Sequence, residues 1–342
     1  MNNDLSVLRD PYQGTPLKQQ DNQLTCGESS YPIVADIPRF VAPENYADDF
    51  GLQWNKFSQT QLDSYTGVDI TESRLARCLM GHLGDMEGKL VLEAGSGAGR
   101  FTEILLKYGA VVHSFDFSGA VEANRNNNSA SDRLTLVQAD IRAMPFQKGL
   151  YDYVICLGVI QHTPNSEESI RCLWQMVKPG GYLVIDHYLF KWRNKLPPPV
   201  GGAELLYRKY LLALPKHQRL DKVKKIVDFW FPIHWKYRDS ITVQRLLRRM
   251  SPVHFYYPQL PLPSKELYYE WALLDTHDGT TDHYKRHRTV KQISDFLTTL
   301  KAEAMIVRQA GNGVEAFCRK PLVADLLSMD GISVSPMSKR SY

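Results

Sequence analysis

Between Lys89 and Tyr188, short apolar runs alternate with amphipathic ones, and this alternation restricts the fold more than any other feature of the chain. KLVLEA, AVVHSFD, RLTLVQAD, YDYVICLGV and GYLVIDHY read as buried strands. GRFTEILLKYG, SGAVEANRNNN and SEESIRCLWQMVK read as helices, the first ended by Gly109 and the last stopped by Pro179, Gly180 and Gly181. Strands separated by helices of this length are joined by crossovers, which implies a parallel sheet covered on both faces. Ligands of such sheets bind at the carboxyl ends of the strands. Further on, TVKQISDFLTTL predicts another helix, and EAMIVRQ and GVEAFCRK predict two closing strands.

The loop after the first strand sets Gly95, Gly97 and Gly99 at alternate positions, with Ser96 between the first two. A dinucleotide fingerprint requires its third glycine where Arg100 stands, so that helix and strand pack closely beside a pyrophosphate. No Gly-Lys-Ser/Thr follows, so the loop is not a P-loop. Carboxylates surround it instead. Glu93 lies two residues before Gly95, Asp116 ends the next strand 23 residues after Glu93, and Asp140 ends the third. Glu93 repels phosphate and welcomes an ammonium, Asp116 is placed to accept from ribose hydroxyls, and Asp140 is placed to meet a purine edge. The set suits a nucleoside joined to an amino acid, as in S-adenosylmethionine, better than NAD.

In order, VLEAGSGAGRFT, VVHSFDFSGA, VQADIRAMPF, YDYVICLGVIQHTPN and LWQMVKPGGYLVIDHY resemble the consecutive motifs of class I S-adenosylmethionine-dependent methyltransferases over residues 89–188. The resemblance implies an α/β fold with a Rossmann-like seven-stranded sheet of order 3-2-1-4-5-7-6, the seventh strand antiparallel. It implies S-adenosyl-L-methionine as cofactor, S-adenosyl-L-homocysteine as product, and binding across strands 1, 2 and 4. Glu93, Gly95, Ser96, Gly97 and Gly99 would line the methionine portion, and Asp116 would bind the ribose. Phe117 would pack on the adenine, Asp140 and Ile141 would meet its edge, and Leu157 would sit beside the sulfonium. The stretch from Tyr31 to Ser64 also resembles an extension found before this domain in bacterial small-molecule methyltransferases. In some relatives a zinc-ribbon remnant precedes it, but only Cys26 stands there in this chain, and no metal is expected.

The length of 342 residues accommodates one large domain or two. The expected organisation is an N-terminal extension or lid over 1–70, a core over 71–190 and 286–321, a cap inserted over 191–285 after the fifth strand, and a tail over 322–342. Residues 1–30 are polar and turn-rich and are expected to be loosely ordered at the start. Residues 31–70 are aromatic-dense and should pack, because so much apolar surface would not stay in water. A helix is expected over 71–83, capped by Thr71, with Leu75, Cys78, Leu79 and Leu83 on one face. Residues 191–250 read as mostly helical, and 251–288 as an aromatic-rich connection. No stretch reaches ~18 apolar residues, so no membrane span is expected. The N-terminus lacks the pattern of a secretion signal. Five scattered cysteines, none in a C-x-x-C pair, fit a reducing cytoplasm better than a disulfide framework.

Methyl transfer from a sulfonium requires alignment, and a protonated oxygen or nitrogen acceptor also needs a base. His162, just past strand 4, and His187 and Tyr188, at the end of strand 5, are expected to face the cofactor crevice, with Tyr46 as a further catalytic candidate. Gln53, Trp54 and His277 are candidates for covering the substrate. Residues 191–250 hold 15 of the 41 Lys and Arg but only four acids, a net +11 against −7 for the remainder. That field attracts anions. With the aromatic stretches around it, it suggests an amphiphilic acceptor with an anionic handle held near Arg245, Arg248 and Arg249. The leading expectation is therefore a methyltransferase acting on carbon, oxygen or nitrogen of a small molecule of secondary or envelope metabolism. The alternatives are an RNA methyltransferase using the basic segment and a binding protein that kept the cofactor site. No RNA-binding module is recognisable, and oligomeric state is left open.

Overall fold

A computed structural model describes residues 5–42, 48–192, 196, 200–311 and 313–322. Tyr46 and the expected tail beyond Leu322 lie outside the described residues. The beginning of the chain departs from expectation. Strands β1 (Lys18–Gln20), β2 (Gln23–Cys26), β3 (Ser29–Val34) and β4 (Ile37–Pro38) form a four-stranded antiparallel sheet in that order. Two-residue turns join consecutive strands, and they begin at Asp21, Gly27 and Ala35, each at positive φ. A polar composition conceals this sheet. It needs only a few apolar anchors, and Leu8, Leu17 and Leu24 supply them by packing into the main core.

Three helices follow: α1 (Asp48–Lys56), α2 (Asp63–Thr66) and α3 (Ile70–Cys78). Leu75, Cys78, Leu79 and Leu83 are buried as the spacing requires. Thr71 is not the cap of α3. The Asp63 carboxylate accepts from the Thr71 and Glu72 amides, both at 2.8 Å, and the Thr71 hydroxyl donates to the Gln61 carbonyl. Orphan amides of a helix start can be satisfied by a side chain distant in sequence, which local spacing does not reveal.

The alternating region builds β5 (Leu90–Ala94), α4 (Arg100–Lys107), β6 (Val111–Asp116), α5 (Val121–Asn128), β7 (Leu134–Gln138), β8 (Tyr151–Cys156), α6 (Ser166–Met176) and β9 (Val177–Tyr188). These five strands pair in parallel in the order β7-β6-β5-β8-β9. Helices α3, α4 and α5 contribute to the core on one face, and α6 with a later helix to the core on the other, so the strands are buried on both faces. On the β7 side, the Phe40 amide donates to the Gln138 carbonyl at 2.8 Å, so the chain after β4 covers that edge.

After β9 come α7 (Glu204–Leu212), α8 (Lys216–Lys236), α9 (Ile241–Met250) and α10 (Lys265–Thr281). These helices have an apolar core of their own, with Leu211, Val227, Phe231, Phe255, Tyr268 and Trp271 in it. Helix α10 occupies the stretch read as a connection. Residues on all its sides are buried, including Tyr268, Leu273, Thr276, His277 and Thr280, so no one-sided apolar stripe marks it in sequence. Helix α11 (Val290–Thr299), β10 (Glu303–Ala310) and β11 (Gly313–Arg319) return to the sheet. Strand β11 runs antiparallel between β9 and β10, completing seven strands in the expected order.

Gly99, at φ +88°, ends the loop before α4, and a Cβ there would lie 2.2 Å from Asn124 Oδ1 and 2.4 Å from Asn128 Nδ2. Gly149, at φ +68°, has nothing within 4 Å of that position. Gly149→Ala should therefore cost only the left-handed backbone, ~1–2 kcal/mol. Gly99→Ala should add overpacking of ~1–3 kcal/mol. Thermal unfolding of the two variants checks this, and equal losses would refute the packing role.

Candidate active site

All three loop glycines adopt positive φ, 78° at Gly95, 53° at Gly97 and 88° at Gly99, a conformation that side chains resist. A Cβ on Gly95 would overlap Val159 at 2.3 Å, and one on Gly97 would press on the Trp54 ring at 3.2 Å. The turn is thus held without side chains between the end of β8 and helix α1. The Gly97 amide donates to Asp116 Oδ2 at 2.9 Å, tying the loop to the end of β6. Asp116 Oδ1 accepts from the Ser118 amide and hydroxyl at 2.8 and 2.7 Å. Burial raises the Asp116 carboxyl above its usual range against the pull of these hydrogen bonds.

Gly95, Ser96, Gly97 and Asp116 line a cavity of about 1480 Å³ beyond the carboxyl ends of the strands, together with Phe117, Asp140, Ile141 and Leu157. Asp140 is paired with Arg142 at 2.6 Å. Two of the expected residues are placed differently. Gly99 packs against α5 and does not line the cavity. Glu93 is buried between β5, β6 and α4, where Oε2 accepts from the Thr102 and Ser114 hydroxyls at 2.5 and 3.0 Å. Its Oε1 accepts no hydrogen bond from the described residues, and burial pushes the carboxyl up to about 7. It stands behind the loop and is not part of the wall. The lining nevertheless fits S-adenosylmethionine: a side-chain-free turn, a carboxylate at the end of β6, and apolar Phe117, Ile141 and Leu157 beside it.

His162, in a one-turn helix Ile160–His162 after β8, lines the same cavity. Its Nδ1 lies 3.0 Å from Asp282 Oδ2 and 3.2 Å from the Tyr284 carbonyl. The Tyr284 carbonyl accepts from Nδ1 and the Asp282 carboxylate lies beside it, which favours the proton there and leaves the lone pair of the neutral ring on Nε2. Burial holds its pKa below the usual imidazole value, so the ring is neutral at pH 7. The Tyr188 ring meets it edge-on, with centroids 5.4 Å apart, and also lines the cavity. His187 does not. Successive strand residues point to opposite faces, so His187 and Tyr188 cannot share the crevice. His187 is buried against α6, with Nε2 3.0 Å from the Ser166 hydroxyl, and burial lowers its pKa to about 4. Gln53 and His277 likewise sit behind the wall, paired with each other at 2.5 Å, while Trp54 reaches the cavity.

Several residues in or behind the cavity wall have no local sequence signal. Asp282 comes from the end of α10 and also pairs with Arg208. Asp275 and Asp278 line the cavity from α10 itself. Acids at 275, 278 and 282 follow helical spacing, which is the one clue the sequence offers to this face. Arg74 and Arg100 converge on Gly158, their Nη2 atoms 3.9 and 4.0 Å from where its Cβ would be. Arg74 is paired with Asp186 at 2.6 Å, and Arg100 donates to the Gln61 side chain.

The raised Glu93 carboxyl makes stability depend on pH. A group whose folded pKa of about 7 exceeds its ordinary 4.5 contributes stability that is complete below 4.5 and lost as pH rises through 7. Glu93→Gln removes that dependence. The variant should gain on the wild type between about pH 5 and about pH 8, by ~1.4 kcal/mol per unit of pKa difference titrated. Thermal or denaturant unfolding at both pH values measures it, and a constant gap would contradict the assignment.

The methyltransferase-domain family model matches residues 92–185, the stretch that carries β5 to β9 and the loops between them. A ubiquinone biosynthesis O-methyltransferase of Azoarcus sp. (strain BH72) is 32% identical over 132 residues, 37% of this chain and 55% of that protein. The enzyme of that name from Coxiella burnetii (strain Dugway 5J108-111) is 29% identical over 100 residues, 29% of this chain and 43% of that protein. The chain thus spans about half the length of these relatives. Among solved structures, magnesium protoporphyrin IX methyltransferase from Synechocystis PCC 6803, with bound SAH, aligns with 80% of this chain and 95% of that chain at 14% identity, with a TM-score of 0.41. With the matched domain, the seven-stranded order and the glycine loop in agreement, residues 92–185 carry a methyltransferase domain of the class I S-adenosylmethionine-dependent type.

Proposed function

We propose that the protein methylates a small amphiphilic molecule, foremost at an oxygen, with His162 as the general base. The observation that carries this reading is the neutral His162 in the cavity wall, with Asp282 and the Tyr284 carbonyl at its Nδ1. S-adenosylmethionine, held by the Gly95–Gly97 turn, Asp116, Phe117, Ile141 and Leu157, supplies an electrophilic methyl group for in-line displacement. His162 Nε2 accepts the acceptor's hydroxyl proton, and Asp282 stabilises the imidazolium that results. Tyr188, kept protonated because burial raises its pKa well above 10, orients the imidazole from its edge.

The acceptor class rests on the rest of the wall. About 1480 Å³ exceeds the ~300–1,000 Å³ of ordinary ligand pockets and leaves room for an acceptor beside the cofactor. Trp54, Tyr256 and Trp271 give that space aromatic sides, and Arg74, Arg100 and Lys285 offer charge to an anionic group. Arg245, Arg248 and Arg249, expected to hold that group, are exposed on α9 and do not line the cavity. The printed name of the Azoarcus and Coxiella relatives, O-methyltransferases of ubiquinone biosynthesis, supports an oxygen acceptor on an apolar skeleton. Envelope or secondary metabolism would supply such acceptors.

Incubation with methyl-labelled S-adenosylmethionine and a fractionated bacterial lysate should label an organic-soluble or anionic small molecule; label in RNA would refute the acceptor class. With that acceptor, His162→Ala should lower kcat by ~10²–10⁴-fold while cofactor affinity is retained. The wild-type rate should be level above pH 6.5 and fall as His162 protonates below it. An undiminished kcat would remove His162 from the mechanism.

A further inference from the structure

The strong positive charge of residues 191–250 is not spent on the cavity, and the same segment exposes apolar side chains. Eleven of the seventeen exposed large apolar residues among the described residues lie in it, against a share of about one sixth of the chain. Scattered exposed apolar side chains are ordinary, but a contiguous patch marks an interaction surface. Some of them lie together around one groove. Leu206 and Tyr210 project from α7 and Phe229 from α8, exposed by 56%, 50% and 64%. Between them runs a shallow groove of about 240 Å³ lined by Tyr210, Phe229, Ile226, Lys222 and Lys225. Lys209, Lys222 and Lys225 have no acidic partner among the described residues. Helix α9 repeats the combination, with Ile241 and Leu246 exposed beside Arg245 and Arg249.

We propose that the α7–α8 face of the cap docks on the surface of an anionic lipid bilayer. Leu206 and Ile226 gain nothing by stacking on bases, but they gain by entering the acyl boundary together with Tyr210 and Phe229, while the lysines around them pair with lipid phosphates. No helix among the described residues is long and apolar enough to cross a membrane, so the attachment is peripheral. A second copy of the chain is a poor occupant, because a twofold contact would bring two strongly basic faces together. The patch also adjoins the cavity. Leu205 and Gly202, which precede Leu206, line the cavity edge, and the Arg248 carbonyl of α9 lies 3.5 Å from the Cβ position of Gly202. An amphiphilic acceptor therefore passes from bilayer to cavity along α7; this last step rests on the function proposed above, whereas docking itself does not.

Flotation of the purified full chain with vesicles tests docking without any methyl transfer. Binding is expected to phosphatidylglycerol–phosphatidylcholine vesicles, with little to phosphatidylcholine alone, and it should weaken as salt is raised. Leu206→Ser with Phe229→Ser should weaken partitioning at least ~10-fold. Lys222→Glu with Lys225→Glu should do so by a similar factor. Ile306→Ser, which removes an exposed apolar side chain on β10, should change nothing and controls for general stickiness. Unchanged unfolding midpoints identify the variants as folded. The proposal is overturned if the wild type stays with the soluble fraction, or if the serine variant floats as well as the wild type. It is equally overturned if RNA, and not vesicles, is bound through these residues.

Discussion

Parallel strands can be joined only by crossovers, and that constraint puts every loop leaving a carboxyl end on the same edge of the sheet. In this chain the loops after β5, β6, β7 and β8 meet there, bringing Gly97, Asp116, Ile141 and Leu157 around one cavity. The hydrogen bond from the Gly97 amide to Asp116 fastens two of those loops to each other. The glycine turn then stays bare enough for a ligand to approach its backbone, with Val159 and Trp54 closing on it.

Gathering carboxylates at that edge is costly, since burial disfavours their charged form. The protein meets the cost in two ways. Asp186 and Asp282 are each matched by an arginine from a distant element, Arg74 of α3 and Arg208 of α7. Glu93 and Asp116 have only hydroxyls and amides as partners, and their pKa values are raised accordingly. The first pair ties α3 to β9, and the second ties α7 to the end of α10. The other two acids stand under the loop with no protein cation among the described residues paired to them.

What could be read in advance followed periodicity and local turn chemistry. The five parallel strands, the three glycines and the acids at strand ends were legible because each depends on residues close in sequence. The errors share an opposite cause. His187 and Tyr188 were both assigned to the crevice, although the pleat allows only one of two neighbours to face it. The N-terminal sheet is hidden in sequence because four short strands with a few apolar anchors carry almost no pattern. Helix α10 was read as a connection because a helix enclosed on all sides lacks the one-sided stripe by which helices are recognised.

The cap divides along the same line. Its charge, its aromatic content and its mostly helical character are visible in composition, whereas the destination of its cations is not. Arg245, Arg248 and Arg249 turn outward, while Arg208 reaches inward to Asp282. The sequence by itself determined the parallel sheet, the bare glycine turn and the acids at the strand ends around that turn, because alternation, backbone freedom and charge are properties of neighbouring residues. Only the tertiary structure decided which histidine faces the cavity and which acid stands behind it, because His162 and Asp282 meet through the packing of α10 on the sheet, a contact between residues 120 positions apart.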